Sequence, residues 1–204
     1  MAATDPAGLL LAAGAGRRMG RPKALVRLDG EPLVRRAVQV LADGGCTPLV
    51  VVVGAAADEV EPLLPTGVRA VVAEGWEEGM GASLRAGLAA LEGLDPVPDA
   101  ALVHLVDLPG VTAAAVARLA AHASTDALAR AAYDGHPAHP VLLGRAHWSR
   151  VRDAATGDAG ARTYLSGHPD LMLIECGDLA VPDDVDTPEQ LARAAQRLPR
   201  PYIN

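Results

Sequence analysis

An apolar run that opens into a loop of glycines and cations constrains this chain more than any other feature in it. Leu10 to Lys23 reads LLAAGAGRRMGRPK. A continuous apolar segment bounded by glycine suits a fully buried strand, so the loop is expected to leave the end of a central strand. Gly14, Gly16 and Gly20 permit positive φ and close backbone approach, which lets successive N–H groups converge on phosphate oxygens. Arg17, Arg18, Arg21 and Lys23 supply countercharge. The segment therefore points to a phosphorylated ligand. Its glycines follow GxGxxxG, one residue too long for the dinucleotide fingerprint, and no GxxxxGK[ST] occurs, so neither a dinucleotide-binding nor a P-loop reading fits. Among 18 basic residues Lys23 is the only lysine. A compact ammonium can sit among several phosphate oxygens where a planar guanidinium fork does not fit, and a lone lysine inside this loop suggests that requirement.

With 204 residues and half of them apolar, one globular domain is expected, large enough to bury roughly 70% of its unfolded surface. The net charge of −7 opposes general nucleic-acid binding and leaves the arginines of the loop as a local island suited to small anions. Cys46 and Cys176 belong to no CxxC and read as buried thiols in a reducing cytoplasm. The first residues do not show a basic segment followed by a long apolar stretch, so no secretion signal is expected. No run approaches the roughly 20 apolar residues of a membrane span, so a soluble cytoplasmic protein without a membrane partner is expected.

Apolar strand patterns at Gly8 to Ala12, Leu49 to Val53, Val68 to Ala73 and Ala100 to Val106 alternate with amphipathic helices at Leu33 to Leu41 and Ser83 to Leu91. Such alternation predicts a mostly parallel sheet between layers of helices, with ligands beyond the carboxyl ends of the strands. Further on, Leu128 to Ala132, Asp134-Gly135 and Pro140 to Leu143 suit a hairpin. Helical stretches follow at Ala146 to Ala154 and Ala159 to Leu165, then a strand at Leu171 to Cys176. Thr187, Pro188 and Gln190 have the order of a capping box at the start of a last helix, and Pro199 to Asn204 is expected to fray.

Two acidic sites lie at the expected ligand edge. Asp107 ends the strand ALVHLV and is followed by Leu108 and Pro109. It reads either as a magnesium carboxylate, since that ion takes one or two protein carboxylates and fills its shell with water and phosphate, or as a turn residue before Thr112. Asp183, Asp184 and Asp186 precede the last helix. Part of that cluster complements the helix dipole, and Asp186 is the favoured second ligand. The loop WEEGMGASL, with Gly79 and Ser83, suits contact with a base or ribose and equally an ordinary helix start. His136 and His139 are spaced HxxH, but without cysteines and with intervening prolines they read as loop residues and not as a zinc site.

Six segments occur in order: LAAGAGRRMGRPK (Leu11 to Lys23), EGMGASL (Glu78 to Leu84), VDLP (Val106 to Pro109), HPVLL (His139 to Leu143), GDAGAR (Gly157 to Arg162) and DVDTPEQL (Asp184 to Leu191). This series resembles the nucleotidyltransferases of molybdenum cofactor maturation, most of all their cytidylyltransferase branch, over nearly the whole chain. The resemblance implies a glycosyltransferase-A-like, Rossmann-like α/β fold: a three-layer sandwich with a nucleotide-binding part at about residues 8–110 and an acceptor-binding part at about 111–198. It implies transfer of a nucleotidyl group from a Mg²⁺-bound nucleoside triphosphate to a phosphorylated pterin. By the same resemblance Leu11, Ala12, Ala13 and Gly14 contact the base, Gly16, Arg18 and Lys23 the triphosphate, and Asp107 and Asp186 the metal. Arg18, Lys23 and Asp107 are then the catalytic set. Ala13 stands where the guanylyltransferase relatives have a second glycine, which implies CTP over GTP. Ala138 stands where the family has a glycine before the His-Pro pair. A phospho-acid or sugar-phosphate acceptor, and a nucleotide-binding relative without catalysis, remain as alternatives.

Overall fold

In the computed structural model, which describes residues 5–197, the first apolar run lies in the middle of a sheet and the glycine loop leaves its carboxyl end. β1 (Ala7–Leu11) is buried at every position. Two short strands, β2 (Arg27–Leu28) and β3 (Glu31–Pro32), form a separate antiparallel pair before α1 (Leu33–Asp43). Strand and helix then alternate through β4 (Leu49–Val53), α2 (Ala57–Val60), β5 (Arg69–Val72), α3 (Met80–Glu92), β6 (Ala100–Leu105) and α4 (Ala113–Ala120). The second half contributes β7 (Leu128–Tyr133), β8 (His136–Gly144), α5 (Trp148–Ala154), α6 (Arg162–Leu165), β9 (Met172–Glu175) and α7 (Pro188–Arg197).

The seven-stranded sheet has the order β5-β4-β1-β6-β8-β7-β9. Only β8 runs against its neighbours, so the sheet is mostly parallel, as the alternation predicts. The β7–β8 hairpin turns at Asp134 (φ 50°) and Gly135 (φ 76°), the pair of positive φ values that a two-residue loop needs. Glu175 fastens this turn to the end of β9 by accepting from the N–H groups of Asp134, Gly135 and Gly177 at 3.1, 3.0 and 2.9 Å.

The pleat divides β1 between two cores. Leu10 and Ala12 pack with residues of α1 and α4, and the half-buried Leu191, Ala194 and Ala195 of α7 close that side. Leu9, Leu11 and Ala13 pack with Leu84 and Leu88 of α3 and Trp148 of α5. Three layers result. Gly87 lets α3 approach the sheet, since a Cβ there would fall 2.6 Å from Leu9 Cδ1. Cys46 and Cys176 are both free and buried.

Helices α3 and α4 differ from the sequence reading. Helix α3 begins at Met80 and not at Ser83, because Gly79 enters at φ 114° and Gly81 lets the first turn lie against the Ala155–Thr156 backbone, where a Cβ would come within 2.9 Å. Helix α4 was not anticipated in a stretch dominated by alanine. It is capped by Thr112, whose Oγ1 accepts from the Ala115 N–H at 3.3 Å. Asp107 is therefore not that helix's cap. The box before α7 forms as expected: Thr187 Oγ1 accepts from the Gln190 N–H at 3.3 Å, and Gln190 Oε1 accepts from the N–H groups of Thr187 and Asp186 at 2.9 and 2.8 Å. Pro199 to Asn204 lies outside the described residues. Among the described residues no helix is long and apolar enough to cross a membrane.

Candidate functional site

A cleft of about 760 Å³ opens beyond the carboxyl ends of β1 and β6. The glycine loop forms one wall, Trp76, Gly79, Met80 and Ser83 form another, and Asp107, Asp184 and Asp186 lie between them.

Lys23 ties these segments together. Its Nζ donates to Asp107 Oδ2 at 2.6 Å and also to Asp186 Oδ1. The two partners are 84 and 163 residues away in sequence. Arg18 reaches the other oxygen of Asp186 at 2.7 Å. Asp107 follows β6 directly, and its carbonyl accepts from the Val185 N–H at 2.9 Å, which draws the acidic segment alongside it. Because Gln190 holds the Asp186 N–H, the α7 capping box sets the position of the second carboxylate.

Burial pulls the Lys23 ammonium down, and the charges of Asp107 and Asp186 outweigh it, leaving its pKa above the ordinary value. Burial pushes Asp186 up, yet hydrogen bonding and charge from Lys23, with Arg18 behind it, leave it below the usual carboxylate range. Asp184 lies higher than usual through burial and the adjacent Asp186. The site thus holds Lys23 charged against an ionised Asp186. Two carboxylates that already share one cation fit a divalent ion that completes its shell with phosphate and water. Among the described residues no cluster of three His, Cys, Asp or Glu side chains is placed to enclose a metal by itself.

The other sequence-derived residues separate into those that meet the cleft and those that do not. Gly16 (φ 60°) and Gly20 (φ 79°) use the left-handed region, whereas Gly14 does not, so its smallness and not its torsion leaves the loop open there. A Cβ on Gly16 would collide with the Arg21 carbonyl, so the loop can fold back on itself only with glycine at that position. Leu11, Ala13, Gly14, Gly16, Arg17 and Arg18 all line the cleft. Ala12 does not, because the strand alternation turns its methyl into the α1 core. Ala13 is backed by Gly54, where a Cβ would come within 2.8 Å of the Ala13 Cβ. Ser83 is buried on the first turn of α3 and meets the cleft.

Sequence reasoning missed several neighbours. A Cβ on Gly79 would lie 2.5 Å from Asp158 Oδ1 and 2.6 Å from the Gly157 carbonyl carbon, so the EGMGASL and GDAGAR segments touch across the cleft. Asp158, Ala138 and His139 also line it. His136 and His139 both belong to β8 and not to a loop; His136, its first residue, is exposed beside the turn with its Nδ1 3.0 Å from the Asp134 carbonyl oxygen.

His104, inside the ALVHLV strand, is buried, and its Nδ1 has no hydrogen-bond partner among the described residues. Burial lowers its pKa to about 4. A histidine held neutral in the fold but free to protonate when unfolded contributes stability fully above the ordinary value of 6.5, and that contribution is lost as pH falls towards 4. His104→Gln is therefore expected to lose about 2 kcal/mol less than the wild type between about pH 7.5 and about pH 5, measured by urea unfolding at each pH. Parallel losses in the two proteins would remove His104 as a source of acid sensitivity.

The geometry has counterparts. A family model described as the MobA-like NTP transferase domain matches residues 8–171. The chain belongs to the MobA-like NTP transferases. Nicotine blue oxidoreductase of Paenarthrobacter nicotinovorans is 39% identical over 201 residues, covering 91% of this chain and 94% of that protein. Molybdenum cofactor guanylyltransferase of Rhodobacter capsulatus is 32% identical over 206 residues, covering 94% and 96%. A solved Rv0371c homologue from Mycobacterium sp. strain JC1 superposes with a TM-score of 0.79 at 30% identity, covering 93% of this chain and 94% of that one. For a MobA-like chain, the mostly parallel sheet with its glycine loop at the carboxyl edge is the shared framework. The match spans both the Lys23 loop and the Asp158 turn.

Proposed function

We propose that this MobA-like transferase moves a cytidylyl group from CTP to a phosphorylated pterin and releases pyrophosphate. Its nucleotide part is taken as about residues 8–110 and its acceptor part as about 111–198. The observation that supports this best is Lys23 held between Asp107 and Asp186 at the edge of the cleft. Leu11, Ala13, Gly79 and Ser83 frame the base and ribose, while Gly16, Arg18 and Lys23 hold the triphosphate. Asp107 and Asp186 would hold Mg²⁺, whose contribution is to neutralise charge on phosphoryl oxygens. Two free buried thiols suit a cytoplasmic setting.

The step itself asks little of a base. A phosphate monoester carries about −1.5 to −2 charges at neutral pH, so an ionised acceptor oxygen can form the new bond to the α-phosphorus directly. The bond from that phosphorus to the bridging oxygen breaks, and pyrophosphate leaves with the electron pair. The barrier is the approach of two anions. Lys23 and Arg18 reduce it by placing fixed positive charge where negative charge develops.

The base preference rests on Ala13. Ala13 lines the cleft with Gly54 packed close against it, so it narrows the place where a ring meets the backbone. A purine needs more room there than a pyrimidine, and a mismatch of about 1–3 kcal/mol gives roughly 10- to 200-fold discrimination. With Mg²⁺ present, CTP is expected to raise the melting temperature more than GTP at equal concentration, and Ala13→Gly to narrow the gap. Pyrophosphate release with phosphorylated pterin should follow the same order. Larger stabilisation and faster release with GTP would replace cytidylyl by guanylyl transfer, the activity named for the Rhodobacter relative. No pyrophosphate from any nucleotide and acceptor pair, with redox turnover of nicotine blue instead, would replace transfer altogether.

A further inference from the structure

Beside the Ala138–His139 wall of the cleft lies a group of positive charges that the nucleotide site does not use. Arg130 lies on β7 opposite Val141 of β8, and its Nε donates to the Ala138 carbonyl at 3.2 Å. His139 stands two residues before Val141, and Arg162 opens α6 immediately after the GDAGA turn. β7 and β8 therefore meet at the Ala138–His139 wall, and the charge of Arg162 is felt by both Arg130 and His139. Arg130 is half-buried, Arg162 is exposed, and neither forms an ion pair among the described residues.

Two like charges set close together with no carboxylate between them repel, and burial of one raises the cost. The effect is visible on the neighbours. Burial and the charge of Arg162 hold the Arg130 guanidinium below its usual range. Burial, the adjacent His104 and the two arginines lower His139 to about 3, so its ring is neutral and offers one N–H. An anion would relieve this arrangement. Two guanidinium forks and an imidazole N–H make up the donor set of a phosphate site.

The location narrows the choice of anion. Arg17, Arg18 and Lys23 line the cleft with the glycine loop, and His139 lines it with Ala138, so a second cationic cluster built around His139 provides for a second anion. We propose that Arg130, His139 and Arg162 form the subsite for the phosphate of the acceptor. Naming that anion rests on the nucleotidyl-transfer reading; the existence of an anion subsite does not. The Ala138 carbonyl positions Arg130, and Arg162 contributes the exposed fork.

The test begins with inorganic phosphate and no nucleotide. In histidine-labelled protein, with His139→Gln assigning the resonance, phosphate is expected to shift the His139 ring signal saturably. Arg162→Gln, an exposed substitution with little risk to the fold, should weaken that binding at least about 10-fold, and Arg130→Lys should weaken it less. The His139 response should persist in Lys23→Met. Equal phosphate affinity in Arg162→Gln and wild type, or loss of the shift in Lys23→Met, would overturn the subsite.

With CTP, Mg²⁺ and phosphorylated pterin, Arg162→Gln should raise the acceptor KM about 10-fold or more and leave the nucleotide KM unchanged. A rise confined to the nucleotide KM would also overturn the subsite. A wild type that binds phosphate as described but transfers nothing would retire the nucleotidyl-transfer reading and leave the anion subsite standing.

Discussion

Asp107→Ala is expected to lose at least about 1,000-fold in turnover, roughly 4 kcal/mol of transition-state stabilisation, while unfolding close to the wild-type temperature. The two halves of that expectation have separate grounds. Asp107 is an edge carboxylate whose side chain is 20% exposed, and no core volume leaves with it. Lys23 keeps Asp186 as a partner, so the charge left behind is not stranded and the stability cost stays at about 1 kcal/mol or less. Activity has no such reserve on the proposed reading, because a metal that two carboxylates would hold would be left with one. Pyrophosphate release with saturating Mg²⁺, beside a thermal melt of the same preparation, separates the effects. Wild-type turnover in the variant would make Asp107 a turn residue and move the metal to Asp184 and Asp186.

Asp107 also illustrates which parts of this molecule were legible in the sequence. Buried strands, the two-residue hairpin turn and the α7 capping box follow from local rules: apolar runs, positive φ at Asp134-Gly135, and Thr187 three residues before Gln190. These appear in the structure within a residue or two, except that β8 begins four residues early, at His136, and β5, at the sheet edge, has no buried residue. Helix α4 escaped notice because alanine fits a helix without marking which face is buried. The alternation of Ala12 and Ala13 was not resolved either, since both are small and apolar, and only the pleat continued from β1 sends one into the α1 core and the other into the α3 core, at the edge of the cleft. The contacts that define the site are the least local. Arg130 and Arg162 carry no signal in a chain whose cations are nearly all arginine, and β7, β8 and α6 must come together before their charges meet. The bridge from Lys23 to Asp107 and Asp186 joins three segments by side chains alone, so each residue could be read as important without showing that one ammonium holds both carboxylates.

That bridge makes Lys23→Arg the more discriminating substitution, and a loss of about 100-fold or more in kcat/KM for the nucleotide is expected even though the charge is kept. Lys23 must serve two geometries. Before nucleotide binding its compact Nζ lies between two carboxylates, and its raised pKa keeps it charged at any working pH. On the proposed reading, those carboxylates would hold the metal in place of the ammonium when a metal–triphosphate is bound, and the flexible stem would let the ammonium turn to the phosphates. A guanidinium fits neither state. Its planar fork favours bidentate pairing with one carboxylate, and Arg18 already occupies one oxygen of Asp186. The longer group would hold the acidic pair closed against the metal and misplace the phosphates by about an ångström, an error worth about 100-fold at a reacting centre. The signature is specific: Lys23→Arg should melt at or above the wild-type temperature alone, yet show a smaller rise with CTP and Mg²⁺. Kinetics equal to wild type, with an undiminished rise on adding nucleotide and metal, would reduce Lys23 to a surface charge and leave the lone lysine of this chain without a functional reason.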